Sequence, residues 1–192
     1  ILTLGNLVSG EALTLNGSGR VASKDVGSGK TVTLGSLALV SGTGLASNYS
    51  FTGGTQTVDI SQAGLTVTAS QVTKTYDGGT TATGAATVGA LAGAGTGEVV
   101  GTAATLAFTD KNAGSGNKTV TASGLVIRDS GNVDVTTNYN FTYTSNTSST
   151  INALGITLTG FAAGNKIYDR STTAAITNAG SLTGVIGGET VT

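Results

Sequence analysis

The groups in this chain that could do chemistry are carboxylates, lysines, hydroxyls and five tyrosines, because His, Cys and Met are absent from all 192 residues. Without imidazole or thiol, triads built on His or Cys and zinc sites built on Cys or His are excluded. The carboxylates Asp77, Glu98, Asp129 and Asp134 form no paired arrangement that recurs along the chain, as general acid and base would require. Asp129-Ser-Gly-Asn-Val-Asp134 offers oxygens of the kind Ca²⁺ takes, but it lacks the EF-hand spacing and the closing Glu. The glycine-rich Ser28-Gly29-Lys30 and the later GSGNK lack the Walker spacing and lead into strand-like sequence, whereas a phosphate loop opens a helix. No catalytic residue, cofactor or metal site is expected, and the chain reads as a non-enzyme.

Two aromatic features remain. Tyr139, Phe141 and Tyr143 form a stripe of period two, which packs half of a core or stacks on a sugar. Tyr139 and Tyr143 are the candidate ligand contacts. The pairs Tyr76-Asp77 and Tyr168-Asp169 are read as turns whose ring lies on the core, with a sugar hydroxyl as the rival use. A Lys–Asn crosslink of the kind found in some surface β-domains would need Lys111 or Lys118 beside a buried acid.

These residues recur because the chain repeats. KTYDGGTT, Lys74 to Thr81, returns as KIYDRSTT, Lys166 to Thr173, and SKDVGSGKTVT from Ser23 returns as DKNAGSGNKTVT from Asp110. NYSF at Asn48 returns as NYNF at Asn138, and Gly10-Glu11 returns as Gly97-Glu98 and Gly188-Glu189. A period near 90 residues is one small domain, too long for a solenoid rung or a propeller blade. The expected division is an incomplete repeat over 1–62 that lacks its opening strand and Tyr-Asp turn, a complete repeat over 63–153, and the opening part of a third over 154–192.

Within the complete repeat, Leu65, Val67 and Ala69 alternate with Thr66, Thr68 and Ser70, the pattern of a strand with one buried face. Further strands are expected at Thr105–Thr109, Thr119–Ile127, Asn138–Thr144 and Thr150–Ala153, with loops at Lys111–Asn117 and Asp129–Thr137. In the first repeat strands are read around Leu2 and Leu4, around Leu13 and Leu15 and over Asn48–Phe51, with a loop over Asp25–Gly29. About seven short strands per repeat, with frequent turn residues and no long helix, give an all-β class: tandem antiparallel β-sandwiches of Ig-like type. Short links between repeats, free of Pro, imply that the units abut as a stiff rod.

Composition narrows the role. Charged residues are 10% of the chain and the net charge is −1. Nine cationic side chains scattered singly do not match a row of phosphates, so nucleic acid is not an expected partner. No run of about 18 apolar residues occurs, so no membrane insertion is expected in this segment. Lacking Met, the sequence reads as a processed product or a segment of something longer.

The combination of K-x-YDG-x-TT near the start of a unit, FTDKNAGSGNKTVT followed by SGL, and NYNF before a closing TINA resembles the YDG-type repeats of large bacterial surface and secreted adhesins, filamentous haemagglutinin-like exoproteins among them. That resemblance assigns Tyr76, Asp77, Gly78, Tyr168 and Asp169 to the structural repeat motif. It implies an extracellular or cell-surface stalk or fibre, with neighbouring repeats of the same or identical chains as partners and host or matrix glycans as possible ligands. It departs from the family pattern at Arg170 and Ser171, which stand where glycines are expected. The two partial ends are read as complementary, so that residues 154–192 of one molecule could supply the strands that residues 1–62 of the next one lack.

Overall fold

The computed structural model describes residues 5–50 and 55–191 of the chain. Among them the structure is all-β, with helix limited to three three-residue 3-10 turns at Ala46–Asn48, Ala94–Thr96 and Thr136–Asn138. The strand readings at Leu2, Leu4 and Phe51 lie outside the described residues.

The first repeat carries β1 (Leu13–Asn16), β2 (Arg20–Val21), β3 (Gly27–Thr33), β4 (Ala38–Ser41) and β5 (Gln56–Ile60). β1 pairs with β4, and β3 lies between β2 and β5, all antiparallel. The middle repeat is cut into more strands than the sequence implies: β6 (Ala63–Thr68), β7 (Thr73–Thr75), β8 (Thr81–Ala82), β9 (Thr87–Val88), β10 (Val99–Thr102), β11 (Thr105–Phe108), β12 (Gly114–Ser123), β13 (Val126–Arg128), β14 (Tyr139–Thr144) and β15 (Asn146–Asn152). After it come β16 (Thr157–Thr159), β17 (Ala162–Ala163), β18 (Ile176–Asn178) and β19 (Ser181–Thr183).

Two sheets of the middle repeat surround the core. One runs β7-β15-β12-β11-β8 and the other β14-β6-β9, with β10 and β13 as a separate ladder. The expected purely antiparallel arrangement does not hold. β14 pairs parallel with β6, from Tyr139 beside Ala63 to Thr144 beside Thr68, and β15 pairs parallel with β7. The cause is a double switch of sheet: the chain crosses from β6 to β7 at its start and from β14 to β15 at its end, so the closing strands lie along the opening ones. Parallel partners need a long intervening connection, and the body of the repeat supplies it.

Loop readings at Asp25–Gly29 and Lys111–Asn117 are also corrected. β3 begins at Gly27 and β12 at Gly114, and each ladder is interrupted by a register shift. Gly29 and Gly116, at φ 62 and 64, sit in those shifts in the left-handed conformation that glycine tolerates. The glycine-rich run is therefore a repeated bulge inside a strand, and a bulge makes the same sequence signal as a loop.

Leu65, Val67, Phe108, Val120 and Ile151 are buried together from both sheets, joined by Tyr139 from β14 and by Ile127 from the β10–β13 ladder. Ser149 is fully buried among them, and its hydroxyl accepts from Val72 N–H and donates to Asn146 Oδ1, which offsets the cost of burying it. The described part of the first repeat buries Leu13, and Leu158 and Phe161 after residue 153 stay about half exposed. Stability is thus concentrated in 63–153. Ile127→Ala should cost ~2–5 kcal/mol in urea denaturation, whereas Leu158→Ala should cost well under ~1 kcal/mol, because it vacates little packed volume.

Candidate functional site

The Tyr-Asp turn is built from its lysine. Lys74 Nζ lies 2.7 Å from Asp77 Oδ1 and donates to the carbonyls of Gly79 at 2.8 Å and Thr81 at 3.2 Å, while it sits 5.4 Å from the centre of the Phe108 ring. Asp77 Oδ1 also accepts the Gly79 N–H at 2.9 Å, and Gly78 turns the chain at φ 79. Lys74 and the Gly79 N–H together hold the Asp77 carboxyl below its ordinary range. The later copy reproduces the arrangement: Lys166 reaches Asp169 at 2.8 Å and the carbonyls of Ser171 and Thr173 at 2.8 Å each. Arg170 occupies the position of Gly78 and adopts φ 62, a conformation that strains a residue with a Cβ. The departure from glycine is accommodated by strain, with the turn unchanged. Arg170→Gly should tighten this turn by ~1 kcal/mol, seen as slower hydrogen exchange of the Ser171 amide.

A second constellation was not singled out from sequence. Each Gly-Glu pair turns the chain at a left-handed glycine: Gly10, Gly97 and Gly188 have φ 87, 89 and 86, and the following Glu N–H donates to the carbonyl of Val8 or Ile186 in the outer copies and of Gly93 in the middle one. In the first two repeats the repeat's own tyrosine closes onto this glutamate. The Tyr139 hydroxyl donates to Glu98 Oε2 at 2.5 Å and accepts the Gly93 N–H, and the Tyr49 hydroxyl donates to Glu11 and accepts the Val8 N–H. The glutamate is then reached by a lysine from the repeat before it. Lys24 lies 3.1 Å from Glu98, and Lys111 lies 3.3 Å from Glu189. These are one contact seen at two successive joints. At the first joint Asn138 adds two further bonds, accepting from Val26 N–H and donating to Asp25.

The spacing of these turns along the chain is that of a repeated domain, and the family comparison agrees: the profile of the YDG domain matches residues 1–58 and again residues 61–149. The chain belongs to the YDG domain family. No curated protein and no solved structure matches it. Residues 154–192 lie beyond the matched spans, yet they carry the same Lys-Tyr-Asp turn and the same Gly-Glu turn as the YDG repeats before them.

The remaining sequence candidates fall into place around the YDG core. Tyr139, expected as a ligand contact, is 4% exposed with its hydroxyl committed to Glu98, so it offers no ring to a sugar. Tyr143 is 40% exposed and stacks on Phe141 at 5.8 Å, and it presents the stripe's open face. Asp129 Oδ1 accepts the N–H groups of Gly131 and Val133, and Asp134 Oδ1 accepts the Thr136 N–H, so both carboxylates of the DSGNVD stretch organise their own loop. Among the described residues no group of acidic side chains has the geometry of a metal site. Lys118 is buried and pairs with Asp110, whose side chain is nearly half exposed and which Lys118 holds ionised below the ordinary Asp range. Lys111 meets the partly exposed Glu189. A crosslink needs a buried, protonated acid beside the amine, and neither lysine has one.

The glutamate is the titrating centre of the joint. The Tyr139 hydroxyl, with Lys24 assisting, holds Glu98 below the usual glutamate range, and Glu98 holds Lys24 above the usual lysine range. A carboxyl lowered on folding contributes stability that is whole above its unfolded value, about 4.3, and is lost as pH falls through the folded value. Wild-type stability should therefore drop as the pH is taken below about 4.3, and Glu98→Gln should flatten this acid limb in urea denaturation followed from pH 6 to 3. An acid limb of unchanged steepness in the variant would contradict the assignment.

Proposed function

We propose that the chain is a structural spacer, a run of YDG repeats folded as Ig-like β-sandwiches that abut as a stiff rod and project or build an adhesive fibre at the bacterial surface or outside the cell. The observation that carries this reading is the repetition of the Lys–Glu contact at both joints, since a spacer needs one rule for setting each unit against the next. Three further features support it. The chain is rich in Thr, Ser and Gly with few charges, which leaves no strong field to steer a charged ligand or substrate toward it. The carboxylates are engaged by lysines, tyrosines and backbone N–H groups, so no acid–base pair is free for a reaction and we assign no enzymatic role. The partners are other repeats, of the same chain or of identical ones.

A second reading, a carbohydrate- or receptor-binding module, is favoured by the exposed Tyr143 ring stacked on Phe141. The two readings separate experimentally. Electron microscopy of the native material should show beads at regular spacing along straight segments, and glycan arrays should stay silent. Collapsed or irregular particles would contradict the spacer, and glycan binding that disappears in Tyr143→Ala would establish the module.

A further inference from the structure

The tyrosine that gives the YDG turn its first letter has a use that neither turn stability nor core packing explains. Tyr76 is half-buried against the core of its own repeat, yet its hydroxyl crosses the joint and donates to Glu189. Lys111 joins the same carboxylate, and Ile186 lies so close to Gly78 that a Cβ there would stand 3.2 Å from its Cγ2. The glycine of the turn thus serves twice, for its positive φ and for the approach of the next repeat. Tyr76, Ala113, Leu154, Ile186 and Glu189 line a cleft of about 290 Å³ at this joint. Lys24, Val26, Ala63, Glu98 and Tyr139 line one of about 170 Å³ at the first joint. Val26 and Ala113, Ala63 and Leu154, and Glu98 and Glu189 are equivalent positions of the repeat, so the two clefts are one feature.

We propose that the tyrosine of each YDG turn is the docking group for the Gly-Glu turn of the repeat that follows it, Tyr76 for Glu189 and Tyr168 for the glutamate of a repeat joined after it. Tyr168 stands on a turn bonded as that of Tyr76 is, but it is 85% exposed, beside Ile167 at 91%. The same bonded turn makes Tyr168 the equivalent docking group. Its occupant is a carboxylate displayed after a left-handed glycine, the chemistry that Gly188-Glu189 brings to Tyr76 and that Gly10-Glu11 and Gly97-Glu98 share. The inference deepens the spacer reading and rests on it only in taking abutting repeats as the working unit.

Two experiments test it. Tyr76→Phe keeps the ring and removes the hydroxyl. In wild type Tyr76 and Lys111 hold Glu189 below the ordinary glutamate range, with Lys74 and Asp77 the charged groups nearest on the turn. Carbon-13 titration of the side-chain carboxyls should show the Glu189 midpoint rising in the variant while that of Glu98, at the other joint, stays put. The second experiment extends the chain in register with a second copy of residues 102–192 after Thr192, carrying Tyr143→Phe and Tyr168→Phe so that only the original rings are read, in two versions of which one also has Glu189→Gln in the added copy. Nitration followed by mass spectrometry should find Tyr168 modified several-fold more slowly where the added Gly-Glu turn keeps its glutamate, with Tyr143 unchanged as the internal control. An unmoved Glu189 midpoint in Tyr76→Phe, or equal nitration of Tyr168 in both chains, overturns the proposal. Either result leaves the spacer reading standing, because that reading fails on irregular particles under the microscope instead.

Discussion

A carboxylate displayed at a fixed point of each repeat, and held there by a glycine with positive φ, is the constraint on which the arrangement of this molecule depends. Glutamate at that point draws a tyrosine hydroxyl from its own repeat and a lysine from the one before. The first bond ties the loop before β10 to the start of β14 and so closes the repeat upon itself. The second crosses to a neighbour. One side chain thereby couples the folding of a unit to its placement in the row, and a chain with 10% charged residues spends several of them on this task.

The fold makes the coupling possible by closing the middle repeat with parallel strands. Because β14 runs beside β6 and β15 beside β7 in the same direction, the chain enters the repeat beside Tyr139 and leaves it beside Thr75, at the far end of the opening strands. Gln62, just before β6, donates to the carbonyls of Thr137 and Tyr139, so the link itself is pinned to the closing strand. Only Ser61 and Gln62 lie between β5 and β6. Lys111 and Tyr76 come from opposite halves of the sequence of one repeat, and both are delivered to the Gly-Glu turn that follows.

Much of this was legible in the sequence, and the part that was not has identifiable causes. Alternation from Leu65 to Ala69 marked a strand with a buried face, and the recurrence of Lys-x-Tyr-Asp marked a turn, because both signals are local. The bulges at Gly29 and Gly116 were read as loops, since a glycine needed for positive φ inside a strand looks the same as one in a turn. Parallel closure escaped notice because it pairs residues about 75 positions apart, such as Ala63 and Tyr139, with nothing local to announce it. A period-two aromatic stripe does not reveal which of its rings is buried, so Tyr139 in the core and the exposed Tyr143 look alike in the sequence. Glu98 and Lys24 were recognised as recurring and were used to count repeats. Their value as partners lay in the same observation, since charges that recur in so uncharged a chain are positioned ones.

The most direct test of the joint is a double-mutant cycle across Lys24 and Glu98, read by urea denaturation at neutral pH and low salt. Lys24→Met and Glu98→Gln, singly and together, remove each side of the contact with little change of shape. The account predicts non-additive losses, the double variant being less destabilised than the sum of the singles, and a coupling that weakens as salt is raised. Strictly additive losses would mean that the two side chains do not act on each other, and the shared rule for joining repeats would be lost with them.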